Sequence, residues 1–164
     1  MEEEKPLNPL SSFIDRVFTM PDYHKYLRRL QSGEQGLNPF LTYFGMVLEE
    51  LREGYARFRM PVRPEYMQGA GFMQGGVIVA MADETIAHAI MTVLTPDTGI
   101  TTIELKSNFL APVREGELIA EASVFKKGRT LIIGDCLVKN GENKEVLRCS
   151  ATFLAFPDKE ESAQ

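Results

Sequence analysis

Apolar positions along the chain keep three different rhythms, and each predicts a different kind of element. Between Tyr23 and Leu30 they recur at helical spacing; Pro21 suits the first helical turn, and Gly33, after Arg28 and Arg29, suits a stop. Ser11 to Phe18 has the length of another short helix. From Met46 to Leu51 and from Tyr55 to Pro61 the rhythm predicts strands, with a turn at Glu53-Gly54. The second alternates cleanly, Tyr55, Arg57 and Arg59 against Ala56, Phe58 and Met60. After a glycine-rich loop, Val77 to Leu94 is apolar nearly all round, and only Asp83 and Glu84 carry full charge. That stretch is too long for an ordinary strand, and a helix without a polar face must be enclosed by other structure. Four further strands are expected at 100–110, 117–127, 130–139 and 145–156, broken at Ala111-Pro112, Gly128 and Asn140-Gly141-Glu142. Asn-Gly is the sharpest hairpin signal among these breaks.

Two strands, one enclosed helix and four strands joined by short turns imply a mainly antiparallel sheet wrapped on a helix, an α+β arrangement. The boundaries read as a helical extension at 1–38, a main domain at 39–157 and a disordered tail at 158–164. With 164 residues, 44% hydrophobic and 25% charged, the main domain needs no disulfide or metal to hold it. The net charge of −5 argues against a nucleic-acid surface while leaving room for a small anionic ligand on a local basic patch. The acidic Met1-Glu2-Glu3-Glu4 is unlike a secretory signal, and no apolar run reaches the roughly 20 residues that span a bilayer. A cytoplasmic protein with Cys136 and Cys149 as buried, reduced thiols is the expectation.

Three motifs carry a family resemblance. Gln74-Gly75-Gly76 stands at the start of the enclosed helix, with Asp83 seven residues after the second glycine. Thr102 to Pro112 ends in Asn108-Phe109-Leu110-Ala111-Pro112, and Lys127-Gly128-Arg129-Thr130 joins two long strands. In this order and spacing, over about residues 40–156, they resemble the PaaI-like acyl-CoA thioesterases of the hotdog fold. The family has histidine where this chain has Gln74 and commonly asparagine where it has Gln68; neither glutamine titrates as imidazole does. The resemblance implies thioester hydrolysis of an acyl- or aryl-CoA, medium-chain or aromatic, with coenzyme A as part of the substrate and no other cofactor or metal. It also implies sites shared between two subunits, hence a homodimer or a dimer of dimers. Thr102 matches a hydroxyl position that orients water near the carboxylate in relatives, or is simply a β-branched strand residue. Lys126, Lys127 and Arg129 could meet coenzyme A phosphates or form a solvated turn. Asn108 and Phe109 are candidates for the pantetheine channel.

The chemistry fits these positions. Thioester hydrolysis needs a carboxylate to attack or to activate water, and something to stabilise charge on the carbonyl oxygen. The first amides of a helix lack intrahelical partners and favour an anion, and glycine allows close approach. Gly75 and Gly76 sit where such amides would be, with Gln68 or Gln74 as possible help, and Asp83 is the base or nucleophile. Seven helical residues from Gly76 to Asp83 span about 10 Å, so one copy cannot flank a single carbonyl carbon with both; a neighbouring copy's helix would supply the missing half.

Other readings remain. Glu84 lies about 100° round the helix from Asp83 and could pair with His88, four residues on. His24 reads as a surface residue, and Phe40, Tyr43 and Phe44 as core, interface or a cap on an acyl pocket. A hotdog protein that holds an acyl-CoA without turning it over is the alternative function. A hotdog dehydratase uses a different motif that is missing here. Gly69-Ala70-Gly71 lacks the rest of a dinucleotide fingerprint, and no Walker lysine, no Gly-x-Ser-x-Gly and no zinc spacing is present.

Overall fold

The computed structural model describes residues 22–157. The expected helix at 11–18 and the tail at 158–164 lie outside them. Helix α1 spans Tyr23–Gln31, α2 Pro39–Phe44 and α3 Gly75–Met91, with a 3-10 turn at Pro64–Tyr66. The strands are β1 Val47–Arg52, β2 Tyr55–Pro61, β3 Thr98–Phe109, β4 Glu117–Lys127, β5 Leu131–Asn140 and β6 Glu145–Pro157. They form one six-stranded sheet in the order β1-β2-β4-β5-β6-β3, antiparallel throughout. This sheet wraps α3, the hotdog arrangement that the resemblance implied.

Strand alternation places one small-and-apolar face on the helix. Ala56, Phe58 and Met60 of β2, Leu118, Ala120 and Ala122 of β4, and Val138, Leu147 and Ala151 farther along are buried. They close on Met81, Ala82, Ile86, Ala89 and Ile90 of α3, which have no exposure at all. The alanines let helix and sheet approach, and Gly134 marks the tightest point: a Cβ there would stand 2.9 Å from Ile86 Cγ2. Cys136 and Cys149 face each other across β5 and β6 as buried free thiols.

Three local expectations need correction. Asp22, rather than Pro21, sets the start of α1: its carboxylate accepts the Lys25 N–H at 2.9 Å, so the proline precedes the cap. Gly33 does end this helix, with φ +80°, its N–H donating to Leu30 O while Glu34 N–H donates to Arg29 O. Helix α2 was not expected, because six residues give too little periodicity to read. Its ends are nonetheless strong: Asn38 Oδ1 accepts from the amides of Phe40 and Leu41, Pro39 opens the first turn, and Gly45 closes it at φ +64°. At Asn140-Gly141 the hairpin forms, yet positive φ falls on Asn143 instead of Gly141, because Asn140 Oδ1 takes the amides of Glu142 and Lys144 and fixes a longer loop. The connection least legible beforehand is β3 to β4, which crosses the sheet and leaves β3 as an edge strand beside β6.

Candidate active site

Asp83 lies midway along α3, half-buried, on the side that faces β3. Among the described residues its one hydrogen-bond donor is Thr102, whose Oγ1 donates to Asp83 Oδ1 at 3.1 Å. Burial raises its carboxyl above the ordinary carboxylate value, and the Thr102 hydroxyl pulls weakly the other way. Thr102 reaches the helix through a bulge. It pairs with Phe153, and Glu104, two residues on, pairs with Thr152, so Ile103 is extra. Cys149 is close enough to feel the Asp83 charge, but burial pushes its thiol up to about 11, which keeps it protonated and a poor rival nucleophile.

At the N-terminus of α3, Gln74 is the cap residue, and its Oε1 accepts the Gly75 N–H at 3.0 Å. Val77 N–H bonds to the Gln74 carbonyl, which leaves Gly76 N–H without a partner among the described residues. The tip therefore presents one open amide and one that Gln74 covers. Phe109 packs directly on the tip: a Cβ on Gly75 would stand 2.9 Å from the ring's Cε1 and Cζ. Gln68, Gly75 and Phe109 share a groove of about 370 Å³ with Phe72, Ile78 and Val113. Gln68 Oε1 is already taken by Ala70 N–H at 2.8 Å.

The structure thus gathers the expected residues into two places. Gln68, Gln74, Gly75, Gly76 and Phe109 meet at the helix tip; Asp83 and Thr102 meet farther along. Eight helical residues from Gly75 to Asp83 correspond to about 12 Å. Asn108 parts from Phe109, because successive strand residues face opposite sides: it lies opposite Arg148 and lines a separate outer hollow. Lys126, Lys127 and Arg129 stand exposed at the β4–β5 turn. Just past that turn, Leu131 lies opposite Leu154, itself opposite Thr101, so the basic turn is two strand spacings, about 10 Å, from the Thr102 end of β3.

Glu84 has a different setting. Asn38 Nδ2 donates to Glu84 Oε1 at 2.6 Å and to Tyr26 Oη at 3.3 Å. His88 Nδ1 donates to the Glu84 carbonyl at 2.8 Å, and its Nε2 accepts from Tyr26 Oη at 2.8 Å. This assignment uses neutral imidazole, and burial lowers the His88 pKa to about 4. The expected Glu84–His88 pairing therefore runs through the backbone carbonyl; the carboxylate itself is 3.8 Å away. His24, read as a surface residue, is half-buried and meets Leu94 O at 3.0 Å. Asn38 and Tyr26 were missed by motif reading; the Asn38-Pro39 pair was the available signal.

Among the described residues no cluster of His, Cys, Asp and Glu is arranged to hold a metal ion, and no helix is long and apolar enough to cross a membrane. The thioesterase superfamily model matches residues 70–147, which run from the loop before α3 through β5 and into β6. The match is to the thioesterase superfamily. Solved members resemble this chain over most of their length. A thioesterase of Haemophilus influenzae is 25% identical with a TM-score of 0.71, over 77% of this chain and 88% of that one. A thioesterase family protein of Silicibacter pomeroyi is 25% identical with a TM-score of 0.73, over 80% and 98%. The Escherichia coli PaaI protein from the phenylacetic acid degradation operon shares the fold, with a TM-score of 0.72 over 84% and 98% at 19% identity. The superfamily match contains Gln74, Gly75, Gly76, Asp83 and Thr102, so every residue of the two clusters except Gln68 falls inside it.

Proposed function

We propose that this thioester hydrolase acts on acyl-CoA or aryl-CoA, releasing the free acid and coenzyme A. The observation that carries the reading is Asp83: of the two carboxylates on a largely apolar helix, the one that is half-buried with a single hydroxyl donor and an open side. A charge kept so poorly paired is expensive for the fold and is expected where it works. In the general-base course, Asp83 takes a proton from water while the water oxygen bonds to the thioester carbon. The amides at the start of α3, Gly76 and, once Gln74 yields, Gly75, hold the resulting oxyanion. Collapse breaks the carbon–sulfur bond, and the proton passes from Asp83 to the departing thiolate. As a nucleophile, Asp83 would instead attack the thioester carbon and expel the CoA thiolate, forming an anhydride that water then opens to the free acid and the regenerated carboxylate.

The 12 Å between tip and carboxylate supports a site built from two copies, the Asp83 of one beside the helix tip of the other. A homodimer, alone or as a dimer of dimers in the cytoplasm, follows from this reading, as does a role for Lys126, Lys127 and Arg129 in meeting coenzyme A phosphates. One observation favours the alternative of an acyl-CoA binder without turnover: Gln74 occupies the Gly75 amide, and no imidazole stands at position 68 or 74.

A panel of acyl-CoA thioesters with a thiol-reactive dye decides between them. Thiol release by the protein, abolished in Asp83→Ala, supports the hydrolase. Tight retention of the thioester with no release in either protein supports the binder.

A further inference from the structure

We infer that Ser107 holds the thiol arm of the substrate, its hydroxyl bonding the pantetheine amide nearest the thioester. This rests on the proposed action on CoA thioesters and deepens it by assigning a binding residue.

Ser107 Oγ is one of two buried side-chain polar atoms that have no hydrogen-bond partner among the described residues. The other, Arg57 Nε, stands 3.0 Å from Glu49 in an ion pair, so Ser107 alone has no account within the fold. Cys149 lies directly opposite Ser107. Burial raises the Cys149 thiol and the Ser107 hydroxyl pulls it weakly down, yet no hydrogen bond joins the two, and a thiol is a weak acceptor. A buried hydroxyl left unpaired is costly and is expected where a ligand will satisfy it. A second copy docked on the edge of β3 does not account for this one, because it lies on the α3 side of the strand, away from solvent.

The bulge at Ile103 puts it there. Thr102 and Ser107 are an odd number of residues apart and would face opposite sides of a regular strand; the extra residue brings both hydroxyls to the α3 side. Asn108, the channel candidate from the sequence, is thereby turned to the outer hollow.

The spacing suits a thioester. Ser107 stands two residues before Phe109 on the same face, about 7 Å along β3 from the ring that lies on Gly75. A carbonyl held by the amides at the start of α3 has its sulfur and two methylenes before the first amide nitrogen of the arm, a span of about 5 Å. Leu105 and Phe109, the neighbours of Ser107 on that face, are apolar. An amide lying against them lacks a side-chain partner unless Ser107 supplies it, and a hydroxyl can both donate and accept. Ser107 as a whole is half-buried, so one step about χ1 turns its hydroxyl from Cys149 to a bound arm.

The test titrates S-hexyl-CoA, a thioether that cannot be hydrolysed, by calorimetry. Ser107→Ala is expected to weaken its binding by about tenfold, and Asn108→Ala by less than about twofold. Equal affinity of Ser107→Ala and the parent overturns the inference, as does failure of S-hexyl-CoA to bind the parent. Turnover of two hexanoyl thioesters gives a second readout: hexanoyl-N-acetylcysteamine keeps the amide, and S-ethyl thiohexanoate lacks it. The ratio of their kcat/KM values is expected to fall by about tenfold in Ser107→Ala. A ratio does not depend on the fraction folded, so one within about twofold of the parent's overturns the assignment. If the parent hydrolyses no thioester but the tenfold loss of S-hexyl-CoA binding is seen, the hydrolase reading falls and the Ser107 assignment stands.

Discussion

Asp83 and Glu84 are neighbours on one helix, and the protein treats them in opposite ways. Glu84 is closed in by three elements: Asn38 donates to its carboxylate, and His88 and Tyr26 complete a chain of bonds from α3 to α1 and α2. Asp83 has one hydroxyl and an open side. Burial raises the pKa of both, so burial does not distinguish them. The difference is what each carboxylate can still do. Glu84 has its interactions within the fold and holds the N-terminal helices; Asp83 keeps an oxygen available. A perturbed titration identifies a site only when the group also has somewhere to send its proton.

The largest effect should come from neutralising one acid and then the other. Asp83→Asn is expected to lower kcat/KM by about 10²–10⁴-fold, and Glu84→Gln by less than about tenfold. Because its folded pKa is raised, ionised Asp83 works against the fold at neutral pH. Stability on its account is greatest below its unfolded pKa and declines as pH rises through the folded value. Asp83→Asn should therefore melt a few degrees higher than the parent at pH 7, a gain in Tm bought with activity.

On the closed side, His88 titrates at about 4 in the fold against an ordinary 6.5. A base with a depressed pKa stabilises above its unfolded value and loses that contribution as pH falls. Denaturant titrations should show up to about 3 kcal/mol lost between those two values. Asp83 and Glu84, with raised pKa values, act in the opposite sense as pH falls, so the measurement is the difference in slope between the parent and His88→Gln. Asn38→Ala removes both a helix cap and the Glu84 donor and should cost about 1–3 kcal/mol of unfolding free energy with little change in KM.

Smaller effects sharpen the open side. Gln74→Ala uncovers the Gly75 amide for the oxyanion and should raise kcat/KM by about two- to tenfold, the worth of one hydrogen bond. A fall in kcat/KM would mean that the carboxamide serves the substrate directly. Thr102→Val deletes the contact that lowers the Asp83 pKa, so the acid limb of the pH–rate profile should move to higher pH while the plateau changes little. An unmoved limb would separate Thr102 from the working carboxylate.

The sheet and the enclosed helix were legible because their signals are local: alternation along β2, and a stretch of α3 with no polar face. Strands β2 and β4 begin and end where the rhythm placed them, and Asp83 stood out as a charge where none is cheap. What could not be read depends on contacts between distant segments. Nothing in the residues of β3 says that it will cross to the far edge beside β6. Nothing near Glu84 announces Asn38, 46 residues away. The two glycines at the helix tip were visible, but the Gln74 side chain folding back on the Gly75 amide is a rotamer choice, which no spacing encodes.

The extra residue at Ile103 changes the parity of β3. Before it the even-numbered residues Ile100 and Thr102 lie opposite the inward-facing Ala155 and Phe153; after it the odd-numbered Leu105, Ser107 and Phe109 lie opposite Ala151, Cys149 and Leu147. Deleting Ile103 would leave Thr102 across from Phe153 and Glu104 across from Thr152, straightening the strand without turning a side chain. Inserting one residue between Glu104 and Phe109 would put Thr102 and Phe109 on opposite faces of the strand, so that one of the two loses its place beside α3. The spacing between these positions is therefore constrained as tightly as their chemistry, and a one-residue insertion there would do more harm than most substitutions along the same strand.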